Sequence, residues 1–137
     1  MREIFFDSEE FNNDEGCCNF MEMNDGFGLL KVQASTASGA YPLSGVDITI
    51  TQFIDGNEVV FFKGVTDESG IIDNIRLPAI PSKEEILKES DIVYTVYNLK
   101  AVYQKDNFER IYDVSIFDNI KVIQPIRVPM SIFMEGD

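Results

Sequence analysis

The sequence predicts an all-β protein: a seven-stranded antiparallel Greek-key β-sandwich with at most one short helix. Three observations predict it. Apolar and polar residues alternate at period two from Gly28 onward, turn-forming residues punctuate that alternation at short intervals, and no stretch sustains a long helical period. A chain of 137 residues that is 45% hydrophobic, with eleven Phe and five Tyr, holds enough apolar mass for one packed core.

Composition divides the chain near Asp25-Gly26. Residues 1–26 carry eight acids against one base, and the remaining 111 residues carry sixteen acids against ten bases. Self-repulsion and scarce aliphatics make 1–26 a flexible acidic leader, although Ile4-Phe5-Phe6 and Phe11 offer the means to dock it as an arm. Residues 27–130 form the sandwich domain and 131–137 a tail.

Leu30-Val32-Ala34 lines the inner face of a first strand, which turns Lys31 towards solvent, and Val46-Ile48-Ile50 lines a second. Asp55-Gly56-Asn57 is a hairpin turn, because Asp, Gly and Asn tolerate the positive φ that tight hairpins need. It leads into Val59-Val60-Phe61-Phe62. A second turn, Thr66-Asp67-Glu68-Ser69-Gly70, feeds a fourth strand over 71–77 that Pro78 and Pro81 stop. Ser82 to Glu89 is the one helix candidate, with Ser82 and Glu85 as a capping box. Residues 92–104 alternate again, with Val93, Thr95, Tyr97, Leu99, Ala101 and Tyr103 sharing one side. Residues 110–117 and 120–128 complete the seven strands.

The run Gly28-Leu29-Leu30-Lys31-Val32-Gln33-Ala34, then Ala40-Tyr41-Pro42-Leu43-Ser44-Gly45-Val46, and later Val65-Thr66-Asp67-Glu68-Ser69-Gly70 before Leu77-Pro78, resembles the opening of transthyretin-like and carboxypeptidase-regulatory-like domains. It is similar in particular to the accessory domain of clostridial spore-cortex-lytic enzymes, through Tyr94-Thr95-Val96-Tyr97 and Gln124-Pro125-Ile126. The resemblance covers residues 26–130 and implies a prealbumin-like sandwich. The matching positions Pro42, Gly45, Thr66, Asp67 and Gly70 all build turns: proline sets φ, glycine permits positive φ, and the threonine hydroxyl bonds back to the backbone. The cortex-lytic enzymes carry catalytic and peptidoglycan-binding regions elsewhere, so the resemblance brings no activity with it.

A net charge of -13 and a pI near 4.2 disfavour phosphate backbones and anionic lipid surfaces, so neither nucleic acid nor membrane insertion is expected. With no histidine, Ser-His-Asp and Cys-His catalysis and histidine metal sites fall away, and with them the histidine-dependent hydrolases of transthyretin-like type. Cys17 and Cys18 are adjacent, too close for an unstrained bridge, and lack a basic partner. Asp67, Glu68, Ser69 and Asp73 are weighed as a weak calcium site, and Lys31 with Asn119 as an internal isopeptide crosslink. Solvated turn acids and a surface lysine are the simpler readings. No cofactor motif is present.

These points lead to the expectation of a non-catalytic adaptor or spacer that binds a protein partner, in a spore or cell-envelope assembly. The alternatives are a peptidoglycan-binding module, with Tyr94, Tyr97 and Tyr103 as stacking residues, and small-molecule binding at an oligomer interface. The start of the chain has no export-signal pattern, so a cytoplasmic or spore-associated location is expected.

Overall fold

Period-two alternation becomes two facing sheets in the computed structural model, which describes residues 3–37, 39, 41–82 and 93–129. The chain runs β1 (Glu3–Phe5), α1 (Glu9–Asn13), α2 (Glu15–Met23), β2 (Gly26–Thr36), β3 (Asp47–Ile54), β4 (Asn57–Val65) and β5 (Ile71–Ala79). It continues through β6 (Thr95–Tyr103), a 3-10 turn at Gln104–Asp106, β7 (Phe108–Ile116) and β8 (Lys121–Val128). One sheet has the order β1-β4-β3-β6-β7 and the other β5-β2-β8. The result is an all-β, prealbumin-like sandwich. Most pairings are antiparallel, while β2 meets β8, and β1 meets β4, in parallel.

The seven expected strands are β2 to β8, and the hairpin forms where Asp55 and Gly56 take φ of 52° and 81°. Inward positions follow the alternation: Leu30, Val32 and Ala34 of β2, Ile48 and Ile50 of β3, and Tyr97, Leu99 and Ala101 of β6 are all buried. A register shift in β4 opposite Ile50 and Thr51 is a β-bulge. It places both Phe61, which is buried, and Phe62, which packs on the core, on the inner side. The helix expected over Ser82 to Glu89 lies, apart from Ser82, outside the described residues, as does the whole 131–137 tail.

The stretch expected as a flexible leader is folded. Ile4 is fully buried beside Val59, its register partner on β4, and Phe11 and Cys17 join the same core. Ser8 caps α1 by accepting from the Phe11 amide, and Asp14 caps α2 by accepting from the Cys17 amide. Phe6 then stacks on Phe61 with ring centroids 5.1 Å apart, Phe11 meets the same ring edge-on at 6.1 Å, and Phe20 adds a ring 5.6 Å from it. The docked arm prevails because four rings and Ile4 bury more apolar surface than the acids lose by confinement, and those acids stay at the surface.

Candidate functional site

Residues that resemble family positions knit one end of the sandwich. The Thr66 hydroxyl donates to the Leu43 carbonyl at 2.7 Å and accepts from the Val46 amide at 3.0 Å, tying the β2–β3 loop to the end of β4. Asp67 accepts from the Ser69 and Ile71 amides at 2.9 and 3.0 Å, closing the next turn. Gly70 has φ of 76°, and a Cβ there would stand 2.3 Å from the Ala34 carbonyl oxygen, so only glycine fits. Pro42 bridges to Ser35, and Gly45 takes φ of 86° to enter β3. All five are architectural.

The three tyrosines do not make a stacking strip. Tyr97 is buried at 1% exposure and its hydroxyl donates to the Pro78 carbonyl across the sandwich, with burial pushing the phenol pKa well up. Tyr103 is also buried, and Tyr94 is exposed but tilted against Phe117 at 5.4 Å. Alternation places Tyr97 and Tyr103 on the inner face, and that decides the matter. The four weighed calcium ligands do not converge either: Asp67 serves its turn, while Asp73 pairs with Lys121 at 2.7 Å. Among the described residues no group of three His, Cys, Asp or Glu is placed to hold a metal ion. Lys31 lies on the outer face, opposite Ile123, and Asn119 sits in a left-handed turn with its amide on the Phe27 carbonyl, so no crosslink forms through the core. No helix among the described residues is long and apolar enough to cross a membrane.

A different set of residues converges on the outer face of the three-stranded sheet. Register pairs Leu29 with Arg76 on one side and Lys121 on the other, so the two cations stand astride Leu29, with backbones about 10 Å apart. Lys31 follows two residues along β2, and Arg127 lies further along β8 opposite Ser35. Four of the eight Lys and Arg among the described residues therefore share this face, with Asp73 the acid among them. In a chain of net charge -13, that concentration makes one face locally positive.

The Arg76 guanidinium lies over the Phe27 ring, its Cζ 4.0 Å from the ring centre, a cation held on an aromatic face. Phe27, Leu29 and Ile120 floor a hollow of about 420 Å³ whose polar rim is Arg76, Asn119 and Lys121. Lys121's hydrogen bond to Asp73, helped by the Asn74 amide and the charge of Lys31 nearby, holds that carboxyl below the ordinary carboxylate range despite partial desolvation. Asp73 is thus an anion that already occupies one cation of the site. An apolar floor with a forked cation fixed above it suits a flat organic acid: guanidinium binds carboxylate through two parallel hydrogen bonds.

Sequence reasoning placed Lys31 at the surface and passed over Phe27, Arg76, Lys121 and Arg127. A signal existed, since 121, 123, 125 and 127 alternate with the buried Ile126 and Val128. The register that sets them beside Lys31 and Arg76 is a tertiary fact.

Solved structures with a similar chain path include the 5-hydroxyisourate hydrolase of Klebsiella pneumoniae, with a TM-score of 0.48, 17% identity, and coverage of 75% of this chain and 85% of that one. Transthyretin from Sparus aurata aligns with a TM-score of 0.41 and 19% identity over 71% of this chain and 86% of that one. (S)-allantoin synthase does so with a TM-score of 0.43 and 8% identity over 80% of this chain and 44% of its own length. No protein-family profile matches the chain, and no curated protein matches it by sequence. The fold is transthyretin-like.

The expectation of a non-catalytic adaptor, and with it the exclusion of enzyme activity, is corrected: the solved structures with a similar chain path include proteins named as a hydrolase and a synthase. The physical reason is that absent histidine removes only histidine-dependent routes. Arginine, lysine and carboxylate remain, and they are gathered on one face.

Proposed function

We propose that the outer face of the three-stranded sheet binds a small planar organic anion and acts on it. Arg76 takes the acidic group through its fork, Phe27 and Leu29 support the flat body, and Lys31, beside the Lys121–Asp73 pair, supplies positive charge where a carbonyl oxygen gains negative charge during reaction. The reaction class this favours is one that passes through an oxyanion. The observation that carries the reading is the Arg76 guanidinium fixed on the Phe27 ring within a cluster of cations, in an otherwise acidic chain.

Titration of the 15N-labelled protein with orotate, a flat aromatic carboxylate, tests it. Saturable shifts of the Phe27, Leu29, Arg76 and Lys121 amides are expected, with benzamidine, a flat cation, causing none. Arg76→Gln should weaken orotate about tenfold or more, equivalent to about 1.4 kcal/mol. Shifts that stay linear with concentration, or that survive the substitution unchanged, would reject the site.

A further inference from the structure

The same face ends in a second hollow, independent of the one at Arg76. It lies six residues along β8 from Lys121, about 20 Å at the rise of a strand. Its volume is about 230 Å³, and its polar side chains are Gln33, Ser35, Ser69 and Arg127, with Gly39 and Pro42 closing it from the β2–β3 loop. Among the described residues no carboxylate lines it, in a chain with 24 acids. Among the described residues Arg127 has no ion-pair partner, so its charge is uncommitted.

Position and orientation of that guanidinium are set by two things. Strand register aims Arg127 outward beside Ser35. The bare Cα of Gly39, at φ of 78°, lets it lie against the loop: a Cβ at Gly39 would stand 2.3 Å from Arg127 Nη1. The loop there is closed by the Gly39 amide donating to the Thr36 carbonyl at 2.8 Å. Ser35's hydroxyl is engaged with the Thr36 carbonyl, which leaves the Gln33 amide and the Ser69 hydroxyl as neutral donors beside the arginine fork.

From this geometry we infer that the Arg127 hollow is a binding site for a phosphate-type oxyanion, free or as the end of a small phosphoester. Donors reach the hollow from β2, from β8 and from the turn before β5. They surround a tetrahedral anion better than they flank a planar carboxylate, which a single fork would satisfy. The volume, about 230 Å³, admits a phosphate with its first waters.

The test is an amide-shift titration with inorganic phosphate at ionic strength held constant with sodium chloride. Saturable shifts of Ser35, Gly39, Ser69 and the Arg127 side-chain N–H are expected. Arg127→Gln should abolish them, and Gly39→Ala, whose methyl pushes the guanidinium aside with the charge unchanged, should weaken them. Arg76→Gln should lose the orotate response and keep the phosphate response, which separates failure of this site from failure of the other. Glycerol 3-phosphate run in parallel decides the source: tighter binding than phosphate assigns a phosphoester, equal binding assigns the free ion. Non-saturating shifts, or shifts that persist in Arg127→Gln, overturn the inference. Arg127 is exposed on a strand face, so its substitution leaves folding intact and the result interpretable.

Discussion

Cys17 and Cys18 are chain neighbours with opposite environments. Cys17 sits in the core, and burial, reinforced by the Asp14 carboxylate, pushes its thiol up to about 12. Cys18 faces outward and its thiol donates to the Asn12 carbonyl at 3.3 Å. The thiolate is the reacting species, so at pH 8 a thiol reagent should label one cysteine in the native protein and the second only after unfolding. Mass spectrometry of iodoacetamide-treated protein checks this, and double labelling under native conditions would contradict the burial of Cys17. At this scale the sequence revealed the pair and its unsuitability for a bridge. Which thiol is shielded depended on the helical phase of α2, set by its Asp14 cap and its packing on the β3–β4 hairpin. Asp73 behaves in the same way. Its acidity was visible, but the Lys121 contact that keeps it ionised joins residues far apart in the chain.

Among the elements, β1 is the one that alternation did not disclose. Three residues are too few to show a period, and the acids around them argued for disorder. Its stabilisation comes from a parallel pairing with β4 that puts Ile4 into the core and leaves Phe5 half exposed under Lys63. Ile4→Ala should therefore cost about 2–5 kcal/mol, a cavity in a packed core. Phe5→Ala, next door, should cost under about 1 kcal/mol. Urea unfolding of the two variants measures the contrast, and equal losses would mean that β1 is not docked as described. The other strands were legible because each has a long buried face. Ser8 and Asp14, followed by acids in the first helical turn, were the capping signals that could have disclosed α1 and α2.

Across the whole molecule, charge is distributed unevenly. The two outer faces differ: the five-stranded sheet's cations are partly matched, with Lys100 3.6 Å from Glu109, whereas the three-stranded sheet presents Lys31, Arg76 and Arg127 without ion pairs among the described residues. A net charge of -13 repels itself in the compact state, so salt should raise the melting temperature by screening that repulsion. Orotate affinity should fall over the same range, because the basic face is screened too. Calorimetry and titration at about 0.02 and 0.5 M sodium chloride read the opposite signs. A parallel rise of both quantities would place the anion elsewhere than on the cations.

By itself the sequence determined the sandwich: which residues face inward on β2 to β8, and where the hairpin and turns fall. Those are local properties, carried by period-two patterning and by residues with restricted or permissive φ. Tertiary structure alone decided that the acidic arm folds and that Lys31, Arg76, Lys121 and Arg127 share one face. Burial of the arm depends on surface offered by β4 and β6. The basic face depends on parallel and antiparallel registers between strands up to about ninety residues apart in the chain, and no local pattern encodes a register of that span.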